Sequence, residues 1–85
     1  MKIIIYGTTW CPSCVSAKRF FDDKNLSYEE INIEEQNISR EKLTEMTGGH
    51  TVPQIVINEK CIGGFSELMT FNQSGELEEI LSNEK

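Results

Sequence analysis

Ile3-Ile4-Ile5-Tyr6-Gly7 running into Thr8-Thr9-Trp10-Cys11-Pro12-Ser13-Cys14 decides how this chain folds. Residues 2–7 hold three consecutive isoleucines and a tyrosine, β-branched or aromatic and apolar on both faces, which predicts a central strand covered on two sides. Good helix formers follow over residues 15–24, with apolar positions at Val15, Ala17, Phe20 and Phe21, and Asn25 supplies a stop. Between them, Cys11 reads as a helix N-cap and Pro12 as the first helical residue, where a missing N–H costs nothing. Cys14 then lies one turn along, on the same face as Cys11 and within bonding reach of it. The free amides of Ser13 and Cys14 and the positive helix end favour thiolate over thiol at Cys11. A cysteine pair in this strand-to-helix setting reads as a redox motif. As half of a zinc site it would need His50 and Cys61, whose distances along the chain match no finger or ribbon spacing.

Residues 26–33 alternate imperfectly and predict a second strand. Strand, helix and strand form a crossover unit that is right-handed and makes the two strands parallel neighbours. Ser39 is a good N-cap for a second helix, and Ile38 with Leu43 would form a hydrophobic staple. Gly48-Gly49 ends that helix. Residues 52–58 predict a third strand begun by Pro53, and the Asn58-Glu59 turn returns the chain into a short Cys61-Ile62 strand, a hairpin. Gly63-Gly64 breaks it. Ser66 is placed to cap a last helix whose apolar face comprises Leu68, Met69, Leu77, Ile80 and Leu81, running through Gly75. Residues 82–85 read as a frayed end. The order is βαβαββα, an α/β architecture with a four-stranded mixed sheet flanked by helices, in one domain over residues 1–85.

Composition narrows the function. Eight Lys and Arg against fourteen Asp and Glu give a net charge of −6 in 85 residues, with no basic tract to neutralise phosphates. Nucleic acid and anionic membranes are therefore not expected partners. No apolar run approaches the ~20 residues of a membrane span, and no export signal precedes the first strand. Three cysteines, an odd and low number, do not suit a disulfide-stapled secreted domain, so a reducing cytoplasm is the expected location.

The order strand, Thr8-Thr9-Trp10-Cys11-Pro12-Ser13-Cys14, helix, Thr51-Val52-Pro53-Gln54-Ile55, Ile62-Gly63-Gly64-Phe65 resembles the glutaredoxin family, in its dithiol form, over nearly the whole chain. The resemblance implies a thioredoxin-like fold and a glutathione-dependent thiol-disulfide oxidoreductase. Cys11 and Cys14 would be catalytic, with Cys11 attacking and Cys14 resolving. It implies that the Val52-Pro53 bond is cis and faces the pair. Glutathione, as reductant and cosubstrate, would be bound by Ser13, Thr51, Val52, Pro53, Gly64, Phe65 and Ser66, and no resident metal is implied. Partners would be disulfide-containing or glutathionylated proteins, ribonucleotide reductase among the candidates, and the protein itself would act as a monomer. Two alternatives stay open: a glutaredoxin-like hydrogen donor to ribonucleotide reductase reduced by thioredoxin reductase, and a non-enzymatic iron-sulfur carrier, which Pro12 disfavours.

The chain departs from the family at two positions. Thr8 stands where many members carry Lys or Arg, and Ser13 where many carry Tyr, so a charge and a ring that help hold glutathione are missing. Arg40 and Lys42 could reach the glycyl carboxylate instead, or belong to a solvated helix face. Glu67 stands where an acid or small polar residue is usual. Trp10 reads equally as a shield for the active-site rim or as a partly exposed aromatic. Cys61 reads as a small buried hydrophobe, with regulatory oxidation as the alternative. His50 and Lys18 read as solvated residues near the pair, while Ile3, Ile5, Phe20 and Phe21 read as core.

Overall fold

A computed structural model describes residues 2–82 of the chain, with side chains through residue 80. Its elements are β1 (Ile3–Gly7), α1 (Pro12–Asp23), β2 (Glu29–Asn32), α2 (Arg40–Thr47), β3 (Gln54–Ile57), β4 (Lys60–Gly63), α3 (Phe65–Ser74) and α4 (Glu76–Ser82). The strands form one mixed sheet in the order β2-β1-β3-β4. β1 pairs parallel with β2, Tyr6 opposite Ile31, and antiparallel with β3, Ile5 opposite Ile55. The isoleucine run is thus the central strand, and the crossover through α1 makes β1 and β2 parallel as expected.

Period-two alternation sends β1 side chains to two different cores. Ile3 and Ile5 join Ile55, Ile57 and Ile62 against Ala17 and Phe21 of α1, Leu68 of α3 and Leu77 of α4. Phe20 packs against this cluster only partly buried. Tyr6, with Ile4 beside it, points the other way, toward Ile33, Ile38 and Leu43 under α2. The predicted staple is in place there, and Ser39 Oγ accepts from Lys42 N at 3.0 Å, capping α2. Gly48 closes that helix with φ 88°, a conformation that only glycine adopts at little cost.

The β3–β4 hairpin turns on Asn58 and Glu59, whose φ values of 51° and 71° are the paired positive angles of a type I′ turn. A register shift between Ile55 and Val56 bends β3 beside its edge partner.

The C-terminal reading needs two corrections. The last helix is not continuous: Gly75 adopts φ 87°, ends α3 and starts α4, because the left-handed conformation cannot sit inside a helix. Nor is Ser66 the cap of α3. Gly64 is the residue in extended conformation, and Ser66 is already one residue inside the helix. Of the predicted apolar face, Leu68 and Leu77 are fully buried and Met69 and Ile80 pack against them; the Leu81 side chain lies outside the described residues. Of the predicted frayed end, Ser82 closes α4 and residues 83–85 lie outside the described residues. Among the described residues no helix is long and apolar enough to cross a membrane.

Candidate active site

The end of β1 delivers the chain to α1 through Thr8, Thr9 and Trp10. Cys11 is extended, with φ −89° and ψ 114°, and its carbonyl accepts the first helical bond from Val15 N at 3.2 Å. Its side chain does the work usually given to a Ser or Asp cap: Cys11 Sγ accepts from Cys14 N at 3.2 Å. Pro12 occupies the first helical position as expected. The Cys11 thiol also reaches across to the loop before β3 and donates to the Val52 carbonyl at 3.5 Å.

The two sulfurs sit in different surroundings. Both cysteines are free and buried, but Cys14 lies deeper, between α1 and the end of β1. Burial first, and a hydrogen bond with Cys11 second, push the Cys14 thiol up to about 12, against partial opposition from a backbone hydrogen bond at Thr8 and from Lys18. Cys14 is therefore held as a thiol at neutral pH. Lys18 has little charge to spare for it, since its Nζ is paired with Glu30 at 2.7 Å, and that hydrogen bond raises its own pKa.

Beside the pair lies a groove of about 210 Å³ lined by Ser13, Thr51, Val52, Pro53, Gly64, Phe65, Ser66 and Glu67. Every residue expected from the resemblance to contact glutathione is in that lining, and the Val52-Pro53 bond is cis. Gly63, with φ 113°, swings the chain from β4 into α3. By helix geometry the amides of Phe65, Ser66 and Glu67 have no acceptor inside α3, which makes this wall of the groove a source of N–H donors. A larger depression of about 660 Å³ runs along β2 and is lined by Glu29, Glu30 and Glu35 among others, but neither cysteine of the pair nor Val52 borders it. The chemistry sides with the smaller groove, because Val52 links it directly to the Cys11 sulfur.

Three residues of the site were not legible in the sequence. Gln54, only 4% exposed, donates its amide to the Thr51 carbonyl at 3.0 Å and the Thr51 hydroxyl at 3.2 Å, fixing the loop that carries Val52. Glu67 reaches back to accept from Gly64 N at 2.9 Å, so its carboxylate closes the α3 start. Gly7 allows Cys14 to approach β1, since a Cβ at position 7 would stand 2.7 Å from Cys14 Sγ.

The remaining expectations divide. Arg40 Nη1 donates to the His50 carbonyl at 2.9 Å and so braces the 49–51 loop, while Lys42 lies exposed on α2. Trp10 is the exposed aromatic, 59% accessible, with its indole N–H donated to Glu34 at 3.1 Å. His50 is exposed as expected. Thr8 is buried, with a hydroxyl that has no partner among the described residues. Cys61 is not a buried hydrophobe: it is exposed, and its thiol lies 3.8 Å from the Met46 carbonyl. It stands on edge strand β4, where alternation sends Ile62 into the core and Cys61 outward.

Comparison with known proteins agrees with this geometry. The family model described as Glutaredoxin matches residues 3–62. The chain is 36% identical over 80 residues to a glutaredoxin of Pseudomonas aeruginosa, covering 94% of this chain and 95% of that protein. It is 35% identical over 80 residues to glutaredoxin 3 of Escherichia coli, covering 94% and 96%. Among solved structures, a buckwheat glutaredoxin in complex with glutathione superposes with a TM-score of 0.85 at 28% identity, over 95% of this chain and 76% of that one.

Proposed function

Because this chain belongs to the glutaredoxin family, with its thioredoxin-like fold, and is a thiol-disulfide oxidoreductase, we propose that it reduces protein disulfides and glutathione mixed disulfides through the Cys11/Cys14 pair, with glutathione as the reductant. Cys11 attacks the substrate disulfide. One sulfur–sulfur bond breaks, a mixed disulfide forms on Cys11, and the departing sulfur takes the proton. Two exits follow. Cys14, giving up its proton, attacks Cys11 and releases the reduced protein substrate, leaving an internal disulfide that two glutathione molecules then reduce. Alternatively a second glutathione attacks the Cys11 adduct directly, which needs no resolving cysteine. The burial that keeps Cys14 protonated suits this second exit for small adducts.

One observation carries the proposal: the Val52 carbonyl touches the Cys11 sulfur and Val52 also lines the groove, so a tripeptide lying there would bring its own sulfur to Cys11. Its chemistry fits the walls. The backbone at Val52, just before β3, can pair with an extended peptide as an added strand does, and the α3 amides can take a carboxylate. The buckwheat relative's complex with glutathione supports the same reading. The protein acts as a monomer in the reducing environment of the cytoplasm.

A coupled assay tests the electron source. Turnover of a glutathione mixed disulfide with glutathione and glutathione reductase, and none with thioredoxin reductase, is the expected result. Turnover supported by thioredoxin reductase instead would transfer the protein to the hydrogen-donor class, a reading to which the missing charge at Thr8 and the missing ring at Ser13 lend weight.

A further inference from the structure

We infer that Gly7 is a positioning residue for Cys14: it keeps open the recess in which the Cys14 sulfur of the reduced protein rests, and so sets how readily the pair closes to a disulfide. The backbone does not ask for glycine at this place. Gly7 is the last residue of β1, and its φ is not among the positive ones. Space asks for it. A methyl at position 7 would stand 2.7 Å from Cys14 Sγ and 3.3 Å from Cys14 Cβ, where carbon contacts normally keep about 3.5–4 Å.

Neither side of that contact has an easy retreat. Gly7 is paired with Asn32 of β2, and its carbonyl accepts from Ile33 N at 2.9 Å, so the strand end is fastened. Cys14 sits in the first turn of α1 with its amide bound to Cys11 Sγ. At 1% exposure its sulfur has packed atoms around it. The neighbour it can approach with gain is the Cys11 sulfur, because there the approach ends in a bond. Filling the recess therefore penalises the dithiol and relieves the disulfide.

The equilibrium concerned is the exchange of the dithiol with oxidised glutathione. The sulfur–sulfur bond of the tripeptide dimer breaks, one forms between Cys11 and Cys14, and the two cysteine protons pass to two glutathione thiols. This inference rests on the dithiol reading proposed above. With glycine at position 7 the dithiol is accommodated, and with alanine the pair is the stronger reductant.

The test is a cycle of Gly7→Ala and Cys14→Ala in the full chain, melted under reducing conditions, with the Gly7→Ala equilibrium also measured in glutathione redox buffers. Expected is a fall in Tm on the order of 5–15 °C for Gly7→Ala with Cys14 present, and most of it recovered in the Cys14→Ala background. Should Gly7→Ala alone fail to fold, folding of the double variant supports the recess, and its failure overturns it. Equal losses in both backgrounds also overturn it. In redox buffer the disulfide of Gly7→Ala should be favoured by about tenfold over the parent. An unchanged or opposite equilibrium sinks the inference. A parent that forms no Cys11–Cys14 bridge in that buffer overturns the dithiol reading and the redox half of the inference together, while the melting cycle still judges the recess.

Discussion

Two helix starts border the same groove, and they are finished in opposite ways. α1 begins on a cysteine whose sulfur takes an amide of its own first turn. α3 begins on a glycine without a side chain, and the Glu67 carboxylate bends back to take the Gly64 amide. In the first, the helix end's positive potential is spent inward on the reacting atom. In the second, the cap is closed from behind and the next three amides are left facing the groove. In the proposed function the same backbone asset would serve a nucleophile at one site and an anionic ligand at the other, with the cap residue deciding which.

The largest effect that would break this comparison is at α1. Cys11→Ser removes the nucleophile, and turnover with any disulfide should fall on the order of 10³-fold or more in the coupled assay. Cys14→Ser should abolish reduction of protein disulfides that need internal resolution, yet keep at least about half of the activity toward a glutathione mixed disulfide. Equal losses in the two variants would refute the division of labour between the sulfurs.

The third effect is a pH dependence. Cys14 is raised from 9.0 to about 12 in the folded protein, so between those values the unfolded chain has released a proton that the native one retains. Stability from this group is complete below pH 9 and declines as pH rises toward 12, by roughly 1 kcal/mol per pH unit. Chemical denaturation of the reduced protein at pH 8 and pH 10 should show the loss, and Cys14→Ser should show less of it. The smallest effect is at α3. Glu67→Gln keeps an oxygen for the Gly64 amide but removes a negative charge beside the proposed carboxylate site. Stability should change by under about 0.5 kcal/mol, whereas KM for a glutathione mixed disulfide should fall about twofold at low salt. An unchanged KM would mean that the α3 amides do not receive the carboxylate.

How much of this was legible in the sequence depended on how local the physics was. The strand, the Cys11–Pro12 helix start, the Ser39 cap and its staple, and the Asn58-Glu59 turn are fixed by neighbours within a few residues, and each is found where the sequence put it. The groove lining was reached through family resemblance, since nothing local brings Ser13, Val52 and Phe65 together. Cys61 misled because a short strand does not announce which face is covered, and β4 lies at the sheet edge. Gly75 misled because an apolar face continued past it, although the backbone turned left-handed there. Gln54 and Glu67 carry no role in the sequence reading, because the loop and the helix cap they serve are made by contacts that only the folded chain shows.

Trp10 has a practical corollary. It is the chain's sole indole, one residue from the attacking sulfur, largely in solvent, and tied by its N–H to Glu34 across the surface. A substituent arriving on Cys11 attaches one residue from a natural fluorophore, so a change in Trp10 emission is the expected signal of each half-reaction, to be timed in a stopped-flow instrument without a dye.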